Sequence, residues 1–461
     1  MWRKHEVTCA AVITLFVCGC TDRPAPTAPR AAPAVGNGAE VESANEGRPL
    51  VSDFSADVPI AYYDLSLQFS KQTAGFTPPV QARAYGYMGL ALYEALVSGM
   101  PDHRSVAGQL NGIGAMPEAR GIPYQWPLVA NAAMAEVMRG LWGGRTNRAV
   151  QNVADLDALE ARFASQYAIG VPPGIVSLSS EFGHAVGAAV YATSLDDGGN
   201  EGYLTNFPAT YVPPQGPEFW VPAASGQVAM QPFWGTTVQT FALASGEECS
   251  PGPPPAYSEQ PGSAFYSEAA SDYELSKTLT PEQTTIARYW ADGPGTISGP
   301  GHSLAIVNEV LQQQHADLAR AAEAYARAGI ANADAVTALW WVKYHYNLIR
   351  PVTYIRRVID PTWSPLLPTP PFPEYVSAHS AQSAAVMTTL EALFGANVPF
   401  VDHAHDADGF APRSFARIFA AAEEAGMSRL YAGIHFRSGN VNGQALGLCV
   451  AAKVDQLSWE R

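Results

Sequence analysis

Long segments in which apolar residues recur three and four positions apart dominate this sequence, and that spacing lines one face of an α-helix with apolar side chains. Before residue 196 these segments are rich in Ala and Leu; they are Val80–Val97, Pro127–Trp142, Ala149–Tyr167 and Ser177–Ser194. After residue 280 the same spacing returns in Ser303–Ala328, Asn332–Ile349, Ser380–Phe394, Ser414–Ala425 and Gly443–Leu457. No array of alternating strands separates them. The sequence therefore predicts an all-α protein.

A long stretch between the two helical parts has neither helical nor strand spacing. From Asp196 to about Ser271 it is rich in Gly, Pro, Trp, Tyr and Phe. An irregular stretch of this length is usually functional or wraps around the rest of the fold. We call it the belt. We expect an N-terminal half with the belt over residues 52–271 and a C-terminal half over residues 272–461.

The first twenty residues have the features of an export signal. A basic start precedes the apolar run Val7–Val17, which is too short to span a bilayer as a stable helix. The sequence Val17-Cys18-Gly19-Cys20 resembles a bacterial lipobox, in which Cys20 is acylated. Residues 21–51 are rich in Pro, Ala, Gly and Glu and predict a disordered tether. We expect an exported lipoprotein, periplasmic or on the outer surface, or otherwise a secreted protein.

Charge and cysteine usage limit the partners and the compartment. The net charge of −15 argues against nucleic acid and against charge-driven binding to an anionic membrane. Contact with a membrane is therefore expected only through the lipid anchor. Cys249 and Cys449 remain once the signal is removed and Cys20 is acylated, and they form either a disulfide or two buried thiols.

The stretch K-Y-H-Y-N-L-I-R-P places two cations near each other. Lys343 and Arg350 are seven residues apart, which is nearly two turns of a helix, so both side chains project from one face. Pro351 disfavours helical geometry at the preceding residue, so the helix should end at Arg350. There the guanidinium can either bind an oxyanion bidentately or complement the helix dipole.

Two further stretches supply other partners for an anion. In V-S-A-H-S, Ser377 precedes a helix whose free N-terminal amides can bind an anion, although a serine at this position is also a common helix cap. His379 follows it and could transfer a proton. In S-R-L-Y-A-G-I-H, Arg429 and His435 are six residues apart, so the helix must break between them to bring both to one site. Gly433 is the expected break.

Together these stretches resemble the signature K-x6-R-P, P-S-G-H and S-R-x5-H of the vanadium-dependent haloperoxidase and type 2 phosphatidic acid phosphatase superfamily. The order of the three motifs is the same. The resemblance implies that Lys343, Arg350 and Arg429 hold the non-bridging oxygens of an oxyanion. Ser377 and the amide of residue 378 would complete this set of oxyanion-binding groups.

The same resemblance assigns roles to the two histidines. His379 would be the acid-base, and His435 would coordinate the vanadium of vanadate or, in a phosphatase, become phosphorylated. Two positions depart from the pattern, because Val376 stands where it often has Pro and Ala378 where it usually has Gly. The backbone N–H of residue 378 is present in spite of both changes. Alanine would, however, strain the backbone if residue 378 needs a positive φ.

Segments outside the motifs extend the resemblance over most of the chain after Ser52. They include T-A-G-F-T-P-P-V-Q-A-R-A-Y near Thr73 and R-Y-W-A-D-G-P-G-T near Arg288, which look like the long bacterial haloperoxidase-like branch and imply two bundled halves. Asp292 could orient a cation of the site or end a helix, and His302 could line the pocket or be structural. The run from Asp402 to Gly409 is expected to be a solvated loop.

The predicted function is that of an exported vanadate enzyme that uses hydrogen peroxide to oxidise halide. An organic molecule could be a further substrate, as the acceptor of the oxidised halogen. Vanadate is the expected cofactor. One alternative is an acid phosphatase that hydrolyses phosphomonoesters through phosphorylated His435. Another is a non-catalytic, anchored anion-binding lipoprotein. The motifs alone do not separate these three functions, and they do not indicate an oligomeric state.

Overall fold

A computed structural model describes residues 48–461 of the protein. Three predictions concern residues outside this range: the export signal over residues 1–20, the acylation of Cys20, and the tether as far as residue 47. The tether was expected to extend to Val51, but Val51 is fully buried and begins a short 3-10 helix, Val51–Asp53. In the described part of the chain no helix is both long and apolar enough to cross a bilayer.

The N-terminal half is helical, as its apolar spacing predicts. Its helices are α1 (Asp57–Gln72), α2 (Pro78–Leu96), α3 (Trp126–Gly143), α4 (Ala149–Tyr167) and α5 (Pro173–Ser194). Three of them have proline at the first or second helical position, where the missing N–H costs no hydrogen bond. Short 3-10 helices lie at Val97–Gly99, Ala107–Gln109 and Gly202–Leu204.

The belt is irregular apart from Gly202–Leu204 and the four-residue helix α6 (Trp234–Thr237). It ends at Ser263 rather than near Ser271, because the Ser263 side chain caps helix α7 (Ala264–Lys277) by accepting the Tyr266 N–H. Asp334 holds the middle of the belt by accepting three consecutive backbone N–H groups, from Phe241 to Leu243, at 2.6–3.0 Å. The belt is thus tied to the helices.

The C-terminal half is also helical. Its helices are α8 (Pro281–Tyr289), α9 (Ser298–Gln313), α10 (Leu318–Tyr346), α11 (Pro351–Val358), α12 (Ala378–Phe394), α13 (Ile418–Tyr431) and α14 (Arg437–Asp455). An antiparallel pair, β1 (Phe400–Asp402) and β2 (Arg413–Phe415), aligns Phe400 with Phe415. The segment between these strands contains the 3-10 helix Asp406–Asp408. The all-α prediction is confirmed.

Some helix boundaries were predicted wrongly; Ser414, predicted to begin a helix, lies in β2, and that helix begins at Ile418. The apolar spacing suggested a break between Ala328 and Asn332, but α10 runs through this region as a single helix of 29 residues. The break lies earlier, where Asp317 caps α10 by accepting the Arg320 N–H. Gly329 instead permits close helix packing, since a methyl group there would lie 2.5 Å from the Tyr85 carbonyl oxygen of α2.

Helix α10 is the centre of the fold. It packs against α2 on one side and α12 on the other, and α12 also packs against α13 and α14. Most residues of α10 are buried, so apolar burial around it supplies much of the folding free energy. This arrangement brings the C-terminal end of α10, which carries Lys343, close to the N-terminal end of α12, which follows Ser377.

Cys249 of the belt and Cys449 of α14 form a disulfide across 200 residues of sequence. The sequence had left this open. Because the bond closes a long loop, we expect the double variant Cys249→Ala/Cys449→Ala to lose about 2–4 kcal/mol of unfolding free energy. Urea unfolding would measure it. Dithiothreitol should destabilise the parent by a similar amount and leave the variant unchanged; equal stability of parent and variant would contradict the prediction.

Candidate active site

The predicted site residues surround one cavity of about 710 Å³. Of these residues, Ala378, His379, Arg429, His435 and Asp292 line the cavity. Lys343, Arg350 and Ser377 are fully buried next to them. The three sequence motifs thus meet in space, although nearly one hundred residues separate the first from the last.

Arg350 lies in a different structural context from the one predicted. Helix α10 ends at Tyr346, with Asn347 in the left-handed conformation at φ 49°. Arg350 itself has extended backbone geometry and immediately precedes α11, whose first residue is Pro351. It therefore caps the start of a helix rather than the end of one, because proline is favoured in a first turn and restricts only the residue before it.

The guanidinium of Arg350 has one donor left unused. Its Nε donates to the Phe372 carbonyl at 2.9 Å, and its Nη1 donates to the Ile434 carbonyl at 2.7 Å and to His435 Nε2 at 3.2 Å. Its Nη2 is buried and has no hydrogen-bond partner among the described residues. A buried donor without an acceptor is costly, so this position favours an oxygen ligand.

The ammonium of Lys343 is already occupied. It donates to the carbonyl oxygens of Pro373, Glu374 and Val376 at 3.0, 2.9 and 2.5 Å. These bonds use all three of its donors, so it holds the segment before Ser377 in place. Burial and the charge of Arg350 hold the pKa of Lys343 well below its usual range.

Arg429 lies in the last turn of α13. Its Nε donates to Ser428 Oγ at 2.9 Å and its Nη2 donates to the Trp290 carbonyl, while the side chain lines the cavity. Burial lowers the pKa of Arg429 to about 10 and also lowers that of Arg350 to about 10. Both guanidinium groups therefore remain cationic at neutral pH.

His435 lies between α13 and α14, in a connection that turns at Gly433 with φ 72°. The predicted helix break at this glycine is confirmed. The His435 Nδ1 lies 2.7 Å from Glu374 Oε1, whereas its Nε2 faces an arginine that can only donate. The proton must therefore be on Nδ1, which leaves the lone pair on Nε2. Burial and the nearby cations hold the pKa of His435 well below its usual range.

Ser377 and Ala378 form the start of α12. The Ser377 side chain accepts the Ser380 N–H, so Ser377 does cap the helix, and it also accepts from Ser380 Oγ at 3.0 Å. Ala378 is the first helical residue and is not among the described residues with positive φ. Alanine therefore fits this position without strain and presents its N–H as glycine would.

His379 donates from Nε2 to Asp292 Oδ2 at 2.9 Å. Burial and the charge of Arg429 lower the pKa of His379 to about 4, so this histidine is neutral at pH 7. The Nδ1 of a neutral imidazole that donates from Nε2 carries a lone pair. His379 can therefore accept a proton on its other side.

Asp292 lies at the centre of a histidine cluster. Its Oδ1 also lies 3.1 Å from His302 Nδ1 and 3.0 Å from His405 Nε2. The other nitrogen of each ring contacts a second carboxylate, Asp402 for His302 and Asp408 for His405. Asp292 thus orients His379 rather than a cation of the site. His302 contacts Asp292 on the side away from the cavity and does not line the cavity itself.

The carboxylates of this cluster stabilise a positive charge on His302. Although burial lowers it, the pKa of His302 is raised to about 10 by Asp292 and Asp402. Asp292, His302 and His405 are residue types that can bind a metal ion, and their ligand atoms lie within 4.8 Å of one another. Since the nitrogens are at hydrogen-bonding distance from Asp292 Oδ1, we interpret the group as a hydrogen-bonded cluster.

Three functional residues were not predicted from the sequence. Glu374 lies in a Pro-rich loop without a distinctive pattern. His405 belongs to the run from Asp402 to Gly409, which was expected to be solvated; most of the run is exposed, but Asp402 and His405 are buried. Gln382 lines the cavity one helical turn after His379, a position that could have been inferred from the i, i+3 spacing.

Comparison with known proteins identifies the family. A family model described as the VCPO second helical-bundle domain matches residues 323–459. A solved structure described as the first bacterial vanadium-dependent iodoperoxidase is 30% identical, with a TM-score of 0.80, over 88% of this chain and 97% of the other. This chain belongs to the vanadium-dependent haloperoxidase family.

More distant members share the fold of this haloperoxidase. The holo and apo structures of a bacterial vanadium-dependent chloroperoxidase are each 16% identical, with TM-scores of 0.62 and 0.63. They cover 84% and 82% of this chain, and 92% and 93% of their own. A comparison with curated protein sequences found no match. The haloperoxidase is an enzyme of this family, and the phosphatase and non-catalytic alternatives are not favoured.

Proposed function

We propose that this haloperoxidase binds vanadate and uses hydrogen peroxide to oxidise halide ions to hypohalous acid. The unused Nη2 donor of Arg350, buried beside the Nε2 lone pair of His435, is the observation that carries the proposal. An oxygen of vanadate would accept a hydrogen bond from Arg350 Nη2, and vanadium would be coordinated by the lone pair of His435 Nε2. Vanadate satisfies a buried cation and a neutral imidazole together.

The donor set of the site fits vanadate. Arg350 and Arg429 would bind its oxygens directly, the Ala378 N–H and Ser377 hydroxyl would add donors, and His435 would be the ligand to vanadium. Lys343 would contribute charge and hold the 373–376 segment, because its own donors bind carbonyl oxygens. Bound vanadate supplies a Lewis-acidic centre at which hydrogen peroxide becomes electrophilic.

His379 would move the protons. Its Nδ1 lone pair can accept a proton from peroxide and return it to the leaving oxygen, while Asp292 fixes the ring through Nε2. An anion in the site would raise the pKa of His379 from about 4 towards neutrality. The reaction consumes one proton for each hypohalous acid formed.

Similarity to the iodoperoxidase supports iodide as a substrate. The decisive experiment compares purified protein with and without orthovanadate. We expect peroxide-dependent oxidation of iodide only after loading, and little hydrolysis of p-nitrophenyl phosphate in either sample. Hydrolysis without halide oxidation in the loaded protein would overturn the proposal in favour of the phosphatase.

Glu374 should set the affinity of His435 for vanadate. Its Oε1 holds the Nδ1 proton of His435, and loss of such a partner typically costs 10- to 100-fold in metal affinity. We expect roughly this loss in Glu374→Gln, measured by orthovanadate titration. Asp272→Asn is the matched control, because Asp272 is an equally buried neighbouring carboxylate that makes no contact with His435. A similar loss in both variants would indicate a general structural effect.

We further propose that the haloperoxidase works outside the cytoplasm. The export signal predicted from residues 1–20 and the disulfide between Cys249 and Cys449 both support an oxidising compartment. Anchoring through acylated Cys20 remains part of this proposal. Labelling with a radioactive or alkyne-tagged fatty acid, with Cys20→Ser as the control, would test it.

A further inference from the structure

One polar side chain in the cavity has no hydrogen-bond partner. Gln382 is only 2% exposed and lines the cavity, yet its amide group makes no hydrogen bond with any other residue between 48 and 461. Gln81, the other buried glutamine of the cavity wall, is engaged: it donates to the Phe76 carbonyl and accepts from Ser298. The Gln382 amide is accessible from the cavity, so it is available to bind a ligand there.

A free backbone donor lies next to this amide. Gly299 is the second residue of α9, a helix of 16 residues, and its N–H has no acceptor in the described part of the chain. A methyl group on Gly299 would lie 1.9 Å from Gln382 Nε2 and 3.4 Å from His379 Nε2. Glycine is therefore needed here to let the Gln382 amide lie against the helix N-terminus, beside His379.

The charges that face this position suit an anion. The helix dipole of α9 places partial positive charge at Gly299. Arg429 lines the same cavity from α13. Lys71 also lines it from α1, but its charge is paired with Asp408 at 2.6 Å. The nearest carboxylate, Asp292, has no exposed side-chain surface and accepts from His302, His379 and His405. Its charge is thus compensated, and it offers no free oxygen to repel an anion.

We propose that the amide of Gln382 and the backbone N–H of Gly299 bind the halide substrate beside His379. This inference rests on the proposed function, since it names the position from which halide meets the activated peroxide. The subsite offers two neutral donors and a largely apolar wall that includes Phe372, Met230 and Trp340. These groups cannot replace the tight hydration shell of a small halide ion. Because the desolvation cost of an ion falls as its radius grows, iodide should bind best, then bromide, then chloride.

Steady-state kinetics of the vanadate-loaded enzyme would test this subsite. In Gln382→Leu, we expect the KM for iodide to rise roughly 10- to 150-fold, the loss that follows from one hydrogen bond to an ion. The kcat at saturating iodide, the KM for peroxide and the affinity for orthovanadate should remain those of the parent. Gln72→Leu is the matched control, since Gln72 lines the same cavity but is exposed, and it should match the parent throughout.

Anomalous diffraction supplies a measurement that does not depend on activity. Crystals of the protein soaked in sodium iodide should show a peak in the cavity beside both the Gln382 amide and the Gly299 N–H, and crystals of Gln382→Leu should lack it. An unchanged KM for iodide in an active Gln382→Leu enzyme would overturn the subsite, and a peak accompanied by that result would mean an adventitious ion only. A peak in a parent protein that oxidises no halide would instead refute the proposed function and leave the anion site standing.

If Gln382→Leu does not fold, Gln382→Glu preserves the size of the side chain. Its carboxylate should repel iodide and raise the KM further than the loss of a neutral donor does. A KM for iodide equal to that of the parent in this variant would overturn the subsite as clearly. Circular dichroism and the orthovanadate affinity would show that the rest of the site is intact.

Discussion

Replacing His435 by alanine is expected to abolish orthovanadate binding and, with it, halide oxidation. His435 Nε2 accepts from Arg350 Nη1, next to the unused Nη2 of the same guanidinium, and Glu374 fixes the ring from its Nδ1 side. His379 is also held by a carboxylate, Asp292, but it makes no hydrogen bond to Arg350 among the described residues. Titration with orthovanadate followed by equilibrium dialysis would measure the loss. The peroxide-dependent iodide assay would give the matching loss of activity.

His345→Ala is the control for this experiment. His345 lies near the C-terminal end of α10, is exposed and stacks on Trp341, so its loss should leave vanadate affinity as in the parent. If His435→Ala bound vanadate as tightly as the parent, the roles of His435 and His379 would have to be exchanged. The thermal midpoints of both variants would show whether the fold is retained.

The second large effect concerns the guanidinium of Arg350. We expect Arg350→Lys to weaken vanadate binding roughly 10- to 150-fold, which corresponds to about 1.5–3 kcal/mol for one charge-assisted hydrogen bond. A lysine keeps the charge but cannot donate to Phe372, Ile434 and an oxyanion from a planar fork. Arg350→Ala should be worse, because it also leaves these two buried carbonyl oxygens unpaired.

Arg357→Lys, on the helix that follows Arg350, is the matched control. Arg357 is partly exposed and donates to the Pro217 carbonyl, so its replacement should change vanadate affinity little. A fully active Arg350→Lys enzyme would show that Arg350 serves the local backbone and does not hold the oxyanion. Isothermal titration with orthovanadate resolves the two outcomes.

The motif residues could be predicted from the sequence because their spacing has a direct geometric meaning. Gly433 had to break the helix for Arg429 and His435 to meet, and it does so. Arg350 shows the limit of such reasoning: Pro351 correctly excluded helical geometry at Arg350, but the same proline is equally suited to start a helix. Pro351 starts a new helix here because α10 has already ended before Arg350, at the left-handed turn of Asn347.

Other features depend on contacts between distant segments and left no local pattern. Glu374 reaches His435 across 61 residues, and His405 reaches Asp292 across 113. A run of Asp and His residues was expected to be solvated because such residues usually are. Asp402 and His405 are buried nevertheless, because Asp402 contacts His302 and His405 contacts Asp292. The apparent break at Gly329 was misleading because glycine there serves the close approach of α2.

The buried cations of the site also bear on how the protein should be handled. Lys343, Arg350 and Arg429 repel one another inside the fold, and a tetrahedral anion removes that repulsion only in the folded state. Any such anion therefore acts as a stabilising additive, worth about 2.7 kcal/mol at one hundred times its Kd. Phosphate buffer would protect the protein against heat and proteases while competing with vanadate, so storage and activation call for different buffers.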